Sequence, residues 1–324
     1  ILFLALVVSR FHIPIFPGEV HYSLISEAKA YAKINLHLEV LNKRTDGYHN
    51  IFSLMASTEV SDLLKLEDLR IDDDSCRKPS IEIVSSGGLF PEIIDSLPVE
   101  NNLITKAVAA YFNHTGLSGR VSLSVEKNIP SGAGMGGGSS DAAAALKLIN
   151  SQLKRLEAPV LMEIGAKLGA DVPYCLTGGF CLCEETGSKI SPLEGALPYF
   201  VLLVNCGIHV DTAWAYRSLH RSPETPASRD DIEFKKGLIR EGLQKGDISP
   251  FRQVIKNDFE GPVFREHPFL KHLREEIYSF KADISFMTGS GSTMVGLFRD
   301  RDWAEKARDH LYSKGNSVFL TIFQ

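Results

Sequence analysis

Pro130-Ser131-Gly132-Ala133-Gly134-Met135-Gly136-Gly137-Gly138-Ser139-Ser140 is the stretch on which the reading of this chain turns. Val121, Leu123 and Val125 alternate ahead of it as a strand, and an Ala-rich helix is expected to start near Ser139. A nucleotide triphosphate needs several backbone N–H donors aimed at one point, and residues without a Cβ allow that approach. A helix start adds unpaired N–H groups and a positive dipole end. Ser139 and Ser140 are expected to cap that helix or to put a hydroxyl on phosphate or Mg²⁺. A linker or a simple tight turn explains so many small residues between a strand and a helix less well.

Several nucleotide folds fall away. The chain has no Gly-Lys-Ser/Thr, so the stretch is not a Walker-type P-loop. Gly132-x-Gly134-x-x-Gly137 matches the dinucleotide fingerprint, but Pro130 interrupts the entry from the strand and no acidic strand end follows at the required distance. The His-Arg-Asp and Asp-Phe-Gly segments of protein kinases are missing.

The 324 residues are enough for two domains, and 44% apolar with 23% charged residues is ordinary for a globular chain. A net charge of -5 gives no basic field, which argues against nucleic acid as a partner. Five irregularly spaced cysteines fit a reduced, cytoplasmic protein better than a disulfide framework. Cys181-x-Cys183 has no second pair or nearby His at zinc spacing, and the ten histidines form no helical metal pair, so no metal ligand is assigned. Ile1 to Val8 is apolar and Arg10 follows it. Such a run is too short for a bilayer, which needs about 20 residues. It is expected to be a buried strand or a packed extension, with an upstream artefact of a trimmed or mis-started chain as the alternative, and no membrane role.

Ile34, Leu36, Leu38 and Val40 alternate with Asn35, His37 and Glu39, which predicts a strand with one core face and one polar face; Lys33 shares the polar face. Further strands are expected around 51–58, 62–67, 80–85 and 179–184. A helix capped at Asn101-Asn102 should stop at Gly116, and another should cover 158–169. After Pro192 the pattern restarts. Tyr199 to Asn205 reads as a buried strand and 221–231 as a surface loop. Phe269, Leu273 and Ile277 read as a helical stripe. Ala282–Met287 and Met294–Phe298 read as strands around a Gly/Ser loop, with a last helix through Trp303, Ala307 and Leu311 and a last strand at Val318–Phe323. The fold class is α+β in two parts, 1–190 and 191–324, with residues 1–27 an extension to which the pattern assigns no role.

Asp171 falls in a short loop of the kind where functional carboxylates sit, and an alcohol attacking phosphorus needs a carboxylate within hydrogen-bond reach. A turn carboxylate at a helix end is the plainer reading of the spacing alone. Lys33 is a candidate for the cation such a base requires, and a surface lysine on an edge strand is the plainer alternative. Tyr48 and His49 follow the turn Asp46-Gly47, so they can stand at a cleft edge, where a ring face suits a nucleobase.

Three segments together resemble the GHMP kinase family: Ala32-Lys33-Ile34-Asn35-Leu36 with Asp46-Gly47-Tyr48-His49, the loop Pro130 to Asp141, and Gly169-Ala170-Asp171-Val172-Pro173. Thr288-Gly289-Ser290-Gly291-Ser292 resembles the family's C-terminal glycine motif. The resemblance runs from Ala28 to the C-terminus. Asp-Gly-Tyr-His with Gly-Ala-Asp-Val-Pro narrows it to the branch whose acceptor is a cytidine diphosphate-linked methylerythritol. It implies a ribosomal protein S5 domain 2-like N-terminal domain and a ferredoxin-like C-terminal domain, with the active site in the cleft between them.

The resemblance also implies roles. The reaction would be ATP- and Mg²⁺-dependent phosphorylation of the acceptor's 2-hydroxyl, in the non-mevalonate route to isoprenoid precursors, by a monomer or homodimer. Asp171 would be the base and Lys33 its partner. Pro130, Gly132, Gly134, Gly136, Gly137, Gly138, Ser139, Ser140, Lys127 and Asn102 would hold the nucleotide. Asn35, Tyr48, His49, Thr212, Tyr216, Ser290 and Gly291 would hold the acceptor. The segment around Thr212 departs from the family, with Asp211 and Ala213 where prolines are usual, so Trp214 competes with Tyr216 as the second face of a cytosine clamp. Another GHMP kinase, acting on homoserine, mevalonate or a sugar, is the alternative enzyme, and a nucleotide or sugar sensor on the same fold is the alternative without catalysis.

Overall fold

The computed structural model describes residues 20–21, 26–72, 79–96, 98–224 and 229–324. The expectation for Ile1–Val8 lies outside them. The chain order begins β1 (Val20–His21), β2 (Ser26–Lys43), β3 (His49–Asp72), β4 (Ser80–Gly88), α1 (Glu92–Ser96), α2 (Leu103–Thr115) and β5 (Ser118–Lys127). It continues with α3 (Gly137–Leu153), α4 (Ala158–Leu168), α5 (Val172–Thr177), β6 (Phe180–Glu185), β7 (Lys189–Leu193), β8 (Phe200–Asn205), α6 (Thr212–Ser218) and α7 (Arg229–Lys245). Last come α8 (Glu260–Glu266), α9 (Pro268–Ser279), β9 (Ile284–Met287), β10 (Met294–Phe298), α10 (Arg301–Ser313) and β11 (Ser317–Ile322).

The first sheet follows the path β4-β5-β3-β6-β7, with β1 and β2 paired to β3 as well; β4 runs parallel to β5 and the other pairs are antiparallel. The strands expected at 51–58 and 62–67 are one 24-residue strand, β3. No Gly or Pro breaks it. Its polar middle is kept extended because Ser57, Thr58 and Asp62 are buried and Asp62 accepts from two backbone amides. β3 pairs β6 over Ile51–Met55 and β5 over Leu63–Asp72.

The second sheet has the order β11-β8-β10-β9, all antiparallel. Taken with α9 and α10, that order is the ferredoxin-like arrangement. The position 190/191 falls inside β7, so the change of sheet comes between Leu193 and Phe200.

Burial explains the strand patterns. In β8, Val201 and Leu203 face a core between the two sheets, whereas Leu202 and Val204 face α9 and α10. A strand covered on both faces reads as an uninterrupted apolar run. β2 is less simple than its alternation suggests. Ile34 and Leu36 join the core between the sheets, but Leu38 and Val40 join the core under α9 and α10. A pairing irregularity between Asn35 and His37 turns the strand at that point. A third core packs α2, α3 and α4 on the first sheet.

Other differences are local. α3 starts at Gly137, earlier than expected, because Gly136 adopts φ 69 as its N-cap with no side-chain cap bond. The buried stripe of α9 is Leu270, Leu273 and Ile277, while Phe269 points outward. Asp171 lies between two helices, α4 and α5, with the strand expected at 179–184 following only after α5. The expected loop 221–231 ends in α7, which begins at Arg229. That helix carries Gly237 and Gly242 among many charges, which hides it. Gly242 is required by packing, since a Cβ there would meet the Phe251 ring at 2.3 Å. No helix among the described residues is long and apolar enough to cross a membrane.

Ion pairs tie α7 to the first sheet. Lys235 Nζ donates to Glu39 Oε2 at 2.8 Å, Lys256 Nζ lies 3.0 Å from Glu39 Oε1, and Lys236 Nζ donates to Glu184 Oε1 at 2.8 Å. Burial works to raise the Glu39 carboxyl, but the neighbouring His37, Lys235 and Lys256 outweigh it and hold the group well below the usual carboxylate range. A carboxyl depressed in the folded state leaves the unfolded chain binding more protons in acid. Its contribution is therefore complete above the ordinary value of 4.5 and is lost as pH falls below that. Glu39→Gln is expected to destabilise the protein at pH 7 by about 2 kcal/mol. Urea denaturation between pH 7 and 3.5 should show a smaller acid-side loss in the variant than in the wild type.

Candidate active site

The glycine loop alternates anchors and openings. Ile129, Ala133 and Met135 are buried in the core between the sheets, whereas Gly132, Gly134 and Gly136 line cavities and hold φ of 64, 76 and 69. The Lys33 N–H donates to the Met135 carbonyl at 3.0 Å, which fixes the loop to β2. The loop meets the second glycine motif backbone to backbone. A Cβ on Gly134 would lie 2.6 Å from the Thr288 carbonyl oxygen, and one on Gly289 would lie 2.8 Å from that of Gly134. Gly136 leaves room for the Lys33 side chain, whose Cγ would be 2.9 Å from an added Cβ.

Two cavities share this loop as a wall. One, of about 340 Å³, is lined by Asn102, Lys127, Pro130, Gly137 and Gly138 among others. The other, of about 470 Å³, is lined by Lys33, Asn35, Asp171, Thr212, Tyr216 and Ser290 among others. Gly132, Gly134, Gly136 and Ser139 belong to both.

Lys33 and Asp171 come together. Lys33 Nζ lies 3.3 Å from Asp171 Oδ2 and donates to Asn35 Oδ1 at 2.8 Å; the lysine is buried, while the Asp171 side chain is 32% exposed to the cavity. Asp171 is the residue before α5 and makes no cap bond, so its carboxylate is not tied to the helix. Pro173 is tolerated at the first turn because the N–H it lacks would have no partner there. Asn35 has both amide ends occupied, since its Nδ2 donates to Ser53 Oγ at 2.8 Å. Its backbone N–H donates to Thr288 Oγ1 at 2.7 Å, a tie between the two halves.

Lys127 and Asn102 line the smaller cavity, but both have internal partners. Lys127 Nζ is held by Asp62 and, at 2.6 Å, by Asp141 Oδ2. Burial opposes its charge, and the two carboxylates outweigh that to raise the ammonium above its ordinary value. Burial pushes the Asp141 carboxyl well above the usual range, against the pull of Lys127. Asn102 caps α2, its Oδ1 accepting from the Ile104 N–H at 2.8 Å.

Four expected site residues lie outside both linings. Ser140 is 3% exposed and donates to the Gly137 carbonyl at 2.9 Å, on the side of α3 away from Ser139. It lines a third cavity of about 330 Å³, with Lys29 and Lys147. Gly291, at φ 96, is packed against Met287 and Val210. Tyr48 is 67% exposed. His49 stacks on Tyr216, with ring centroids 5.2 Å apart and planes at 24°. Burial lowers the His49 pKa below its ordinary value, and the charges of Lys43 and Arg221 add to this. Burial pushes the Tyr216 hydroxyl up to about 12, with the Asp171 charge adding to it. Tyr216, not Trp214, lines the larger cavity, where Thr212 Oγ1 is 2.9 Å from Ser290 Oγ.

Sequence reasoning missed His209, whose Nδ1 faces Gly132, and Thr288 as the partner of Asn35. His209 stood inside a quoted segment, yet nothing in its spacing marks a cavity residue. Cys181 and Cys183 are buried, with thiols raised by burial, and among the described residues Cys175, Cys181, Cys183 and Cys206 are free.

The GHMP kinases N terminal domain family matches residues 102–179, and the GHMP kinases C terminal family matches residues 239–317. A 4-diphosphocytidyl-2-C-methyl-D-erythritol kinase of Thermodesulfovibrio yellowstonii is 35% identical over 280 residues, covering 86% of this chain and 92% of the relative. The enzyme of the same name from Clostridium kluyveri is 33% identical over 294 residues, covering 90% and 98%. A crystal structure of 4-(cytidine 5'-diphospho)-2C-methyl-D-erythritol kinase superposes with a TM-score of 0.72 at 30% identity, over 92% of this chain and 99% of that one. With a fused glycine-loop wall, a lysine–aspartate pair beside it and relatives matched over nearly their whole length, the chain belongs to the GHMP kinase family.

Proposed function

We propose that this chain transfers the γ-phosphoryl group of ATP to the 2-hydroxyl of 4-diphosphocytidyl-2-C-methyl-D-erythritol, in the non-mevalonate route to isoprenoid precursors. The observation that carries the reading is the Lys33–Asp171 pair, 3.3 Å apart, beside the loop that divides the two cavities. Phosphoryl transfer asks a protein mainly for positioning and charge stabilisation, and a donor and an acceptor on either side of one wall satisfy that need.

In this reading the smaller cavity takes the nucleoside end of ATP, and the N–H groups of 132–138 and the α3 start hold its phosphates. The larger cavity takes the acceptor. Asp171 orients the attacking hydroxyl and takes its proton as the new bond forms, because a carboxylate is too weak a base to remove it beforehand. Lys33, held by Asn35, stabilises the charge that develops on the attacking oxygen. The attack is direct, with no phosphoenzyme. Mg²⁺ would neutralise phosphate charge. No cluster of three His, Cys, Asp or Glu suited to a metal exists among the described residues. The ion would therefore enter on the triphosphate, with the Ser139 hydroxyl, present at both cavities, as its protein donor. The exposed ring of Tyr48 and the His49–Tyr216 stack are the aromatic surfaces for a cytosine. The free thiols support a reducing, cytoplasmic setting.

A coupled ATP-consumption assay with and without the cytidyl acceptor tests the reading: consumption should require the acceptor, and acceptor-independent consumption, or none with it, overturns it. Lys33→Ala should lower kcat about 10²–10³-fold with nucleotide affinity nearly intact. Asp171→Asn should cost about 10²–10⁴-fold in kcat. Gly134→Ala places a methyl against the Thr288 carbonyl at a positive φ. Strain of about 1–3 kcal/mol then falls on the loop, and calorimetric ATP affinity should drop about tenfold.

A further inference from the structure

The segment Lys256-Asn257-Asp258 touches both halves of the site without lining either cavity. It adds a short parallel ladder to β2: the Leu38 N–H donates to the Lys256 carbonyl at 2.8 Å, and the Asp258 N–H donates to the Leu38 carbonyl at 3.0 Å. Asp258 Oδ2 accepts from the Val40 N–H at 2.9 Å and from Arg221 Nη2 at 2.9 Å. β2 is therefore gripped just beyond Asn35, at the stretch where its side chains pass from one core to another.

Asn257 is 5% exposed and fully engaged. Its Nδ2 donates to the Met287 carbonyl at 2.6 Å and to the Gly289 carbonyl at 2.8 Å, and its Oδ1 accepts from the Phe259 N–H at 3.0 Å. The two carbonyls flank Thr288, and both need a donor at one point. A side-chain amide supplies two N–H groups there, and an ionised carboxylate would supply none. From Thr288 the chain of contacts runs to the Asn35 N–H, from the Asn35 side chain to Lys33 Nζ, and from Lys33 to Asp171. The same Gly289 packs against Gly134 of the first loop.

We propose that Asn257 is a positioning residue for phosphoryl transfer, setting the Thr288–Gly289 backbone that registers the glycine loop against β2 and so orients Lys33 toward Asp171, with Asp258 holding β2 in place. The proposal rests on the phosphoryl-transfer reading above. It predicts an effect on the chemical step larger than the effect on nucleotide binding, because the adenine end of the site is built by α2 and residues 129–133, away from Asn257.

The test uses the full chain with Asn257→Asp and Asn257→Ala, beside Leu311→Ala as a destabilised control in α10, outside both cavity linings. In both Asn257 variants, amide hydrogen exchange should speed up at 286–291 and 33–38 relative to the rest of the protein. Their kcat should fall about 10- to 100-fold, with KM for ATP moving less than about threefold. Leu311→Ala should lose melting temperature and keep kcat. Unchanged exchange at those segments, or a kcat loss no greater than that of Leu311→Ala, overturns the proposal. The exchange readout needs no substrate. A wild-type enzyme that ignores the cytidyl acceptor thus counts against the proposed function, and the exchange result alone still decides whether Asn257 sets the loop register.

Discussion

Backbone meets backbone at Gly134 and Gly289, at a distance that admits no Cβ on either side. The rest of the site depends on that contact. It sets a loop from the first sheet against a loop from the second, and the cavities are what remains on either side of the joint. Small residues alone would leave such a joint loose. It is firm because side chains beside the glycines are anchored: Ala133 and Met135 are buried between the sheets, and Thr288 is buried and bonded to Asn35. Glycine supplies the approach, and its apolar neighbours remove the freedom that glycine would otherwise bring.

Charge is arranged around this joint in two tiers. Beneath the loop, Lys127 is buried between Asp62 and Asp141, and Asp62 also accepts from the Asn128 and Ile129 amides at the loop's entrance. Lys127 bridges the two carboxylates, which ties the loop's entrance to β3 and α3. Above the loop, Lys33 is buried but Asp171 is partly exposed, so one member of the pair can meet an incoming hydroxyl. Sequence spacing cannot tell a lysine paired with two buried carboxylates from one paired with a partly exposed carboxylate, because both stand at strand positions near the same glycines. Burial of the carboxylate partner is what separates them.

The parts legible in the sequence are those that local chain geometry dictates. The glycine loop between a strand and a helix, Asn102 with Gly116 as the ends of α2, and the two-sided apolar run of β8 could all be read from neighbouring residues. The pairing of Lys33 with Asp171 came from resemblance, since nothing in their spacing brings them together. What stayed hidden arises from contacts distant in the chain. β3 runs through a polar middle in which Tyr174 bonds Ser57 and the amides of Asn128 and Ile129 bond Asp62. Ser139 and Ser140 are adjacent in sequence, yet helix geometry turns one to the two cavities beside the glycine loop and the other to the third. The outward Tyr48 and the His49–Tyr216 stack follow from how α6 meets the turn after β2, which no local pattern encodes.

β2 contributes side chains to two separate cores, and both are completed by elements from β8 onward. That has a consequence for the protein as it is made. A ribosome releases most of the first sheet before β9 and β10 exist, so Ile34, Leu36 and Phe52 emerge ahead of much of their cover. An uncovered apolar face on a nascent chain is open to misassociation until its partner arrives. The half that carries the glycine loop therefore cannot mature ahead of the half that carries the second one. Vectorial synthesis yields the joint between the two glycine loops only at the end, when both are present to meet.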